Sequence, residues 1–373
     1  MGKHSQLESE SLDAVDAILR QAIVDHAFPG AAYGVLVHGD VVATRGLGQF
    51  TYDADSPQIK PDTIFDIASV SKVVATTSMA MRLWELGKLN LDAPISIWLP
   101  EFVERFASDE LAAREHVTVR MLLTHSSGLP AYARLFAAFP TAQALFQACL
   151  RTPLEAAPGE VAVYSDIGFI LLGRLLERIA GEMLDTFCQR EIFAPLRMSH
   201  TLYRPPEELK ASIPPSGIDD TFRHRLIQGE VHDENCWQMG GISGHAGLFS
   251  NVPDLLKLAD CILNGGAPVF QLATMQTFLS GDATVPGSSR ALGWDTPSQP
   301  SSSGKYFSPR SVGHLGYTGT SLWIDCEQQL AVVLLTNRTF PGNGPAGVSM
   351  AIQQVRPAFH NAVMEALEMK RNL

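Results

Sequence analysis

The position of the strand signals constrains this chain most: they lie near its two ends and are nearly missing between. Residues Ala31 to Val37 are an apolar run, His38-Gly39-Asp40 a turn, and Val41 to Thr44 a second short run, which reads as a β-hairpin. Ser321 to Asp325 and Leu330 to Thr336, flanking Cys326 to Gln329, read as another. Between them the periodicity is helical, with one long helix expected from near Ser69 through Met79 and Leu83 to Gly87. Val119 to Leu123, Asp166 to Ile179 and Met183 to Ile192 follow as further segments, with no strand pair of comparable strength. Two distant hairpins can share one sheet only if the helical middle leaves it and returns. The expectation is therefore an α+β fold: a discontinuous domain of residues 1–75 and 236–373, an antiparallel sheet flanked by helices, carrying an all-helical insertion of residues 76–235. The active site would lie in the cleft between them.

Helices from about Ser11 to His26 and from about Val348 to Met369 are expected at the chain ends, and the Ser- and Pro-rich stretch Asp295 to Pro309 as an exposed loop. The net charge of −11 is spread along the chain, and no cluster of Lys and Arg suited to phosphate neutralisation is present, which argues against nucleic acid as a partner. Cys149, Cys188, Cys236, Cys261 and Cys326 are scattered, odd in number and never spaced C-x-x-C, as in a reducing compartment. The stretch Met1 to Phe28 has neither a basic start nor a long apolar run, so the expectation is a cytoplasmic protein without a membrane span.

Three constellations carry chemistry. Ser69-Val70-Ser71-Lys72 opens a helix, and the i to i+3 spacing puts hydroxyl and amine on one face, near backbone N–H groups that could stabilise an oxyanion. Tyr164-Ser165-Asp166 follows the Pro158-Gly159 turn and taken singly is an ordinary capped helix start. His314-Leu315-Gly316-Tyr317-Thr318-Gly319-Thr320 taken singly is a Gly-rich turn before a strand. Ser302-Ser303-Gly304-Lys305 repeats the first spacing, but in a polar loop with no helix to organise it.

Together these three motifs resemble the serine β-lactamase and penicillin-binding protein family: class C β-lactamases, D-alanyl-D-alanine carboxypeptidases and β-lactamase-like carboxylesterases. Phe28-Pro29-Gly30, Leu122 to Leu129, Gly241 to Phe249 and Thr320 to Asp325 look similar too, so the resemblance spans nearly the whole chain. It implies the β-lactamase/transpeptidase-like fold, Ser69 as nucleophile, Lys72 as the helix lysine and Tyr164 as the second-motif tyrosine. It further implies backbone N–H groups of Ser69 and Tyr317 as the oxyanion hole, and Asp166, His314, Leu315 and Gly316 as substrate-binding positions. No metal or cofactor is implied.

Three departures bear on the substrate, a small ester or amide. Asp166 replaces a frequent asparagine with a group that only accepts, His314 replaces a lysine with a group largely neutral at pH 7, and Leu315 lacks a hydroxyl. Such a site has lost cations and donors for a substrate carboxylate, so a carboxylesterase acting on small acyl esters is expected. β-Lactamase or D-alanyl-D-alanine carboxypeptidase activity is the alternative, and a catalytically silent binding protein of the same fold is the rival from another class. If Asp166 lies near Lys72 it holds the ammonium, which leaves Tyr164 as general base; a phenolate at pH 7 then needs a downward shift of about 3 units, or about 4 kcal/mol.

Other patterns carry less. Gly342-Asn343-Gly344-Pro345-Ala346-Gly347 matches G-x-G-x-x-G, but too little chain remains for a βαβ unit. His232, Asp233, Glu234 and His245 lack a metal-ligand pattern and read as a polar turn near the cleft. His125 reads as a structural hydrogen-bonding histidine.

Overall fold

A computed structural model describes residues 9–104, 106–342 and 346–371. Strands β1 (Gly30–Val37) and β2 (Asp40–Gly48) form the first hairpin. Short strands β3 (Phe65–Asp66), β4 (Leu202–Tyr203), β5 (Gly217–Asp219), β6 (Arg225–Ile227) and β7 (Leu248–Ser250) follow. Strands β8 (Ser311–Leu315), β9 (Ser321–Asp325) and β10 (Leu330–Thr336) come last.

The long strands join in one antiparallel sheet of order β2-β1-β10-β9-β8. The two expected hairpins meet through β1 and β10, with Ala31 opposite Thr336 and Val37 opposite Leu330. Both strands are buried at every position, and nearly all apolar, because both faces of the sheet are covered. Tyr33, Val35, Val332 and Leu334 face the first helix (Ser9–Val24) and the last (Ala346–Arg371), packing with Leu12, Val15, Leu19, Phe359 and Val363. The alternate residues Ala32, Leu36, Val333 and Leu335 face the helix Val252–Leu263, through Leu255, Leu256 and Ala259. The same core continues into the helical middle, whose central element is Asp166–Ala180. Ser165 caps it by accepting from Gly168 N–H at 3.0 Å, and Gly181, at φ +74°, ends it. No helix among the described residues is long and apolar enough to cross a membrane.

Four expectations are corrected. The helix at Ser69 is not one regular α-helix: a 3₁₀ turn (Ala68–Val70) leads into a π-helical stretch (Lys72–Thr77) before the α-helix Ser78–Glu85. The wide turns coincide with the β-branched residues Val73, Val74, Thr76 and Thr77, and with Thr76 Oγ1 bonding outward to Gly244 O at 2.7 Å. Likewise Leu184–Cys188 passes into a wide turn, Gln189–Phe193. The middle region contains a small hairpin, β5–β6, and strand β4, which joins β7 and β3 of the flanking segments in a short sheet; all are too brief to give a period-two signal. His314 and Leu315 end a strand, β8, where a turn was expected; Gly313 makes room there for the Trp323 ring, which would lie 2.4 Å from an added Cβ. Residues 343–345 of the G-x-G-x-x-G match lie outside the described residues, and Ala346 begins the final helix.

One close approach fixes how the middle sits against the site. Gly173 of the central helix meets Gly244, where a Cβ on Gly173 would lie 2.8 Å from Gly244 Cα. Gly173→Ala should therefore cost about 1–3 kcal/mol, since backbone must move to admit the methyl group. Gly281→Ala, where nothing lies within 4 Å, serves as control. Thermal unfolding of the two variants checks this; equal melting temperatures would contradict the close-packed contact.

Candidate active site

Ser69 lies at the bottom of an open cleft of about 700 Å³, lined by residues of all three motifs: Ser69, Tyr164, Asp166, His314, Leu315, Gly316 and Tyr317. The turn before it is built by Asp66, whose Oδ1 accepts from Ala68 N–H at 2.8 Å while Ala68 takes a left-handed backbone, φ +47°. Thr318 Oγ1 donates to Asp66 O at 2.8 Å and Thr320 Oγ1 to Ile67 O at 3.0 Å. Strand β8 thus ends directly against the Ser69 turn, and Gly316 allows it: a Cβ there would lie 2.0 Å from Thr320 Oγ1 and 2.6 Å from Ile67 O.

Lys72 is completely buried. Its ammonium donates to Ser69 Oγ at 3.0 Å, to Asp166 Oδ1 at 2.7 Å and to the carbonyl of His245 at 2.8 Å. Burial alone would pull its pKa down, but the Asp166 carboxylate, seconded by Tyr164, outweighs it and the pKa ends above the ordinary lysine value. Lys72 is therefore an ammonium at neutral pH. Tyr164 is half-buried and interacts with both Lys72 and Ser69, the ammonium lying 4.9 Å from its ring centroid. Burial raises the pKa of its hydroxyl, and the opposing pull of Lys72 does not compensate. The expected downward shift is thus absent from the resting site, because desolvation of the phenolate exceeds its attraction to the ammonium.

His314 is buried beside Tyr164, with ring centroids 5.8 Å apart. Its Nδ1 meets Leu315 O at 2.8 Å and so carries the proton, while burial, Lys72 and Arg290 hold its pKa well below the ordinary histidine value. The cation that the resemblance leads one to expect in the third motif is absent at this position. Other cations stand nearby that the sequence motifs did not point to. Arg290 lies 5.6 Å from the Tyr164 ring, Arg338 lies over the Tyr317 ring at 4.6 Å, and Arg356 comes from the final helix; all three line the cleft. Arg356 is nearly buried and donates to the carbonyls of Gly316, Gly319 and Thr320. Among the described residues no carboxylate pairs with it. Asp233, Glu234 and Asp295 line the cleft too, and Asp295 pairs with Arg290 at 3.5 Å. Asp233 Oδ1 meets His245 Nε2 at 2.8 Å and accepts from Cys236 N–H at 2.7 Å, so the polar turn expected around residue 233 also fixes the loop whose carbonyl holds Lys72. Lys305 of the decoy motif is exposed and far from this arrangement, bonding through its backbone to Asn361. Among the described residues no group of His, Cys, Asp and Glu is arranged to hold a metal.

The Beta-lactamase family model matches residues 15–355. This chain belongs to the β-lactamase family. It is 32% identical to an N-acetylmuramyl-L-alanine amidase of Bacillus subtilis (strain 168), over 90% of this chain and 82% of that one. It is 30% identical to a putative D-alanyl-D-alanine carboxypeptidase of Escherichia coli (strain K12), over 88% and 82%. Among solved structures, EstCE1, a hydrolase with promiscuous acyltransferase activity, shares the fold at a TM-score of 0.74 and 23% identity, over 93% of this chain and 99% of that one. A class C β-lactamase from Rhodobacter sphaeroides shares it at 0.72 and 22%, over 95% and 99%. The chain is accordingly a serine hydrolase of the β-lactamase-like kind with the β-lactamase/transpeptidase-like fold.

The Asp233 contacts carry a pH consequence. Burial pushes its carboxyl up, but His245, the Cys236 N–H and the Lys72 charge outweigh this and hold it at about 2. A carboxyl held below its unfolded value contributes stability that is present above pH 4 and lost as pH falls towards 2, here at most about 2 kcal/mol. Urea titrations between pH 5 and 2 should show a steeper loss in the wild type than in Asp233→Asn; parallel curves would contradict it.

Proposed function

We propose that the chain hydrolyses an amide bond in a small carboxylate-bearing substrate through an acyl-enzyme on Ser69. Support for the anionic group comes from Arg356, a guanidinium buried in the cleft wall with only carbonyl partners, beside Arg338 and near Arg290. A buried cation without a counter-charge is costly, and a substrate carboxylate would relieve that cost. The premise that this site lacks cations, which favoured esters in the sequence, therefore no longer holds. N-Acetylmuramyl-L-alanine, the compound in the name of the Bacillus relative, has the required features: an acyl–amine bond and a carboxylate beside it.

In this reading Ser69 Oγ attacks the carbonyl carbon and its proton passes to Tyr164, in the minor fraction of molecules that hold a phenolate against the Lys72 ammonium. Tyr164 returns that proton to the departing amine, and water clears the acyl group by the same route reversed. Lys72 stays charged, and the backbone N–H groups of Ser69 and Tyr317 receive the oxyanion. His314, neutral, offers only Nε2 as an acceptor. We read the chain as the discontinuous unit 1–75 with 236–373, supplying Ser69 and residues 314–317, and the inserted unit 76–235, supplying Tyr164 and Asp166. The five unpaired cysteines support a reducing, cytoplasmic setting.

A second reading, hydrolysis of small acyl esters, is favoured by Leu315, which offers no hydroxyl, and by Asp166 and Glu234, which repel a carboxylate placed on their side. One kinetic comparison separates the two. N-Acetylmuramyl-L-alanine should exceed its C-terminal carboxamide by about tenfold or more in kcat/KM, and Arg338→Gln should narrow that ratio. p-Nitrophenyl acetate outrunning both, with no discrimination between acid and carboxamide, would establish the ester reading instead. A chromogenic cephalosporin outrunning all three would restore the β-lactamase reading.

A further inference from the structure

Tyr164 is carried by a segment with no regular structure: residues 161–165 belong to neither helix nor strand. A side chain that must meet Ser69 and Lys72 at once is thus mounted on backbone that no ladder or helix fixes. The far end of the segment is anchored by Ser165, whose hydroxyl donates to Pro130 O at 2.7 Å and caps the central helix, and the backbone around Tyr164 itself is held by His125. The amide N–H before it, on Val163, donates to the carbonyl oxygen of His125 at 2.9 Å, and the amide N–H after it, on Ser165, donates to His125 Nδ1 at 3.0 Å. The His125 ring also contacts the Tyr164 ring, with centroids 4.7 Å apart, and stacks on Phe169 at 4.9 Å.

We propose that His125 is a positioning residue for Tyr164, gripping the backbone on both sides of it so that the hydroxyl stays aimed at Ser69; this rests on the reading of Tyr164 as proton acceptor. The tautomer follows from the contacts. Nδ1 accepts from Ser165, so the ring proton sits on Nε2 and the imidazole is neutral; a protonated ring would set N–H against N–H and release the segment. Burial, with Arg290, Lys72 and His314 as the charged and titratable groups acting on it, keeps the ring neutral and its pKa well below the ordinary histidine value. His125 also adopts a left-handed backbone, φ +58°, which turns its carbonyl and its ring towards the same segment. Both grips depend on that conformation, which few residues other than Gly, Asn and Asp adopt easily.

That conformation supplies the test. Asn and Gly both tolerate the backbone and both lack the ring, but only Asn offers an acceptor, Oδ1, near the place of Nδ1. His125→Gly should lose about a hundredfold in kcat on p-nitrophenyl acetate with KM changed by less than about threefold, the signature of a displaced group rather than a lost binding contact. His125→Asn should recover at least about tenfold of that loss. Melting temperatures of the two variants show whether both are folded, and Tyr164→Phe is measured in parallel. Equal losses in the Asn and Gly variants, or no loss in either while Tyr164→Phe is inactive, would overturn the positioning role. Near-normal turnover of Tyr164→Phe would overturn the reading of Tyr164, and the proposal with it.

Discussion

The site depends on one buried charge. An ammonium removed from water is penalised by several kcal/mol and persists only when its hydrogens are matched and a counter-charge is close. Lys72 meets both conditions, with three acceptors drawn from three parts of the chain: its own helix at Ser69, the start of the central helix at Asp166, and the loop carbonyl of His245. Each acceptor brings its own support. Ser165 caps the helix that begins at Asp166, the Gly173 to Gly244 approach presses the loop inward, and Asp233 ties His245 down. Satisfying the ammonium therefore brings together the nucleophile, the tyrosine segment and the loop.

The same charge limits what Lys72 can do. Held by Asp166, it is an ammonium that donates to Ser69 Oγ, and in the proposed mechanism removing Ser69's proton falls to Tyr164. Tyr164 in turn is protonated at rest because burial outweighs the ammonium's pull. Two neighbours that are both protonated store no reactive base, so the proposed mechanism draws on a minor protonation state. The cleft is lined by charges of both signs: Asp233, Glu234 and Asp295, the last paired with Arg290 at 3.5 Å, and the cations Arg338 and Arg356.

Much of this was legible in the sequence, for identifiable reasons. The β1–β2 and β9–β10 hairpins were readable because their apolar runs are interrupted by turn residues, and the i to i+3 pairing of Ser69 with Lys72 because helical geometry is local. Tyr164 and His314 were found through the resemblance rather than from local pattern. Strand β8 was missed because Ser311, Gly313 and His314 are turn-like residues, made strand by pairing with β9 and by the Trp323 ring over Gly313. Arg356 was missed because it is one polar position on a helix, and only the packing of that helix on the sheet carries it to the Gly316 to Thr320 loop. The direction of the Tyr164 shift was not legible because the sequence shows that a cation is near but not how strongly desolvation opposes its pull.

The central claim is that Lys72 is a permanent ammonium pinned by Asp166. Its charge can be read directly by following the ¹³Cε resonance of Lys72 during a pH titration, assigned by comparison with Lys72→Met. The account predicts a protonated side chain throughout the neutral range, titrating above the ordinary lysine value of 10.5, and titrating lower in Asp166→Asn. A wild-type resonance that titrates near pH 7–8, as a lysine acting as a free-amine base would at about that pH, would contradict it.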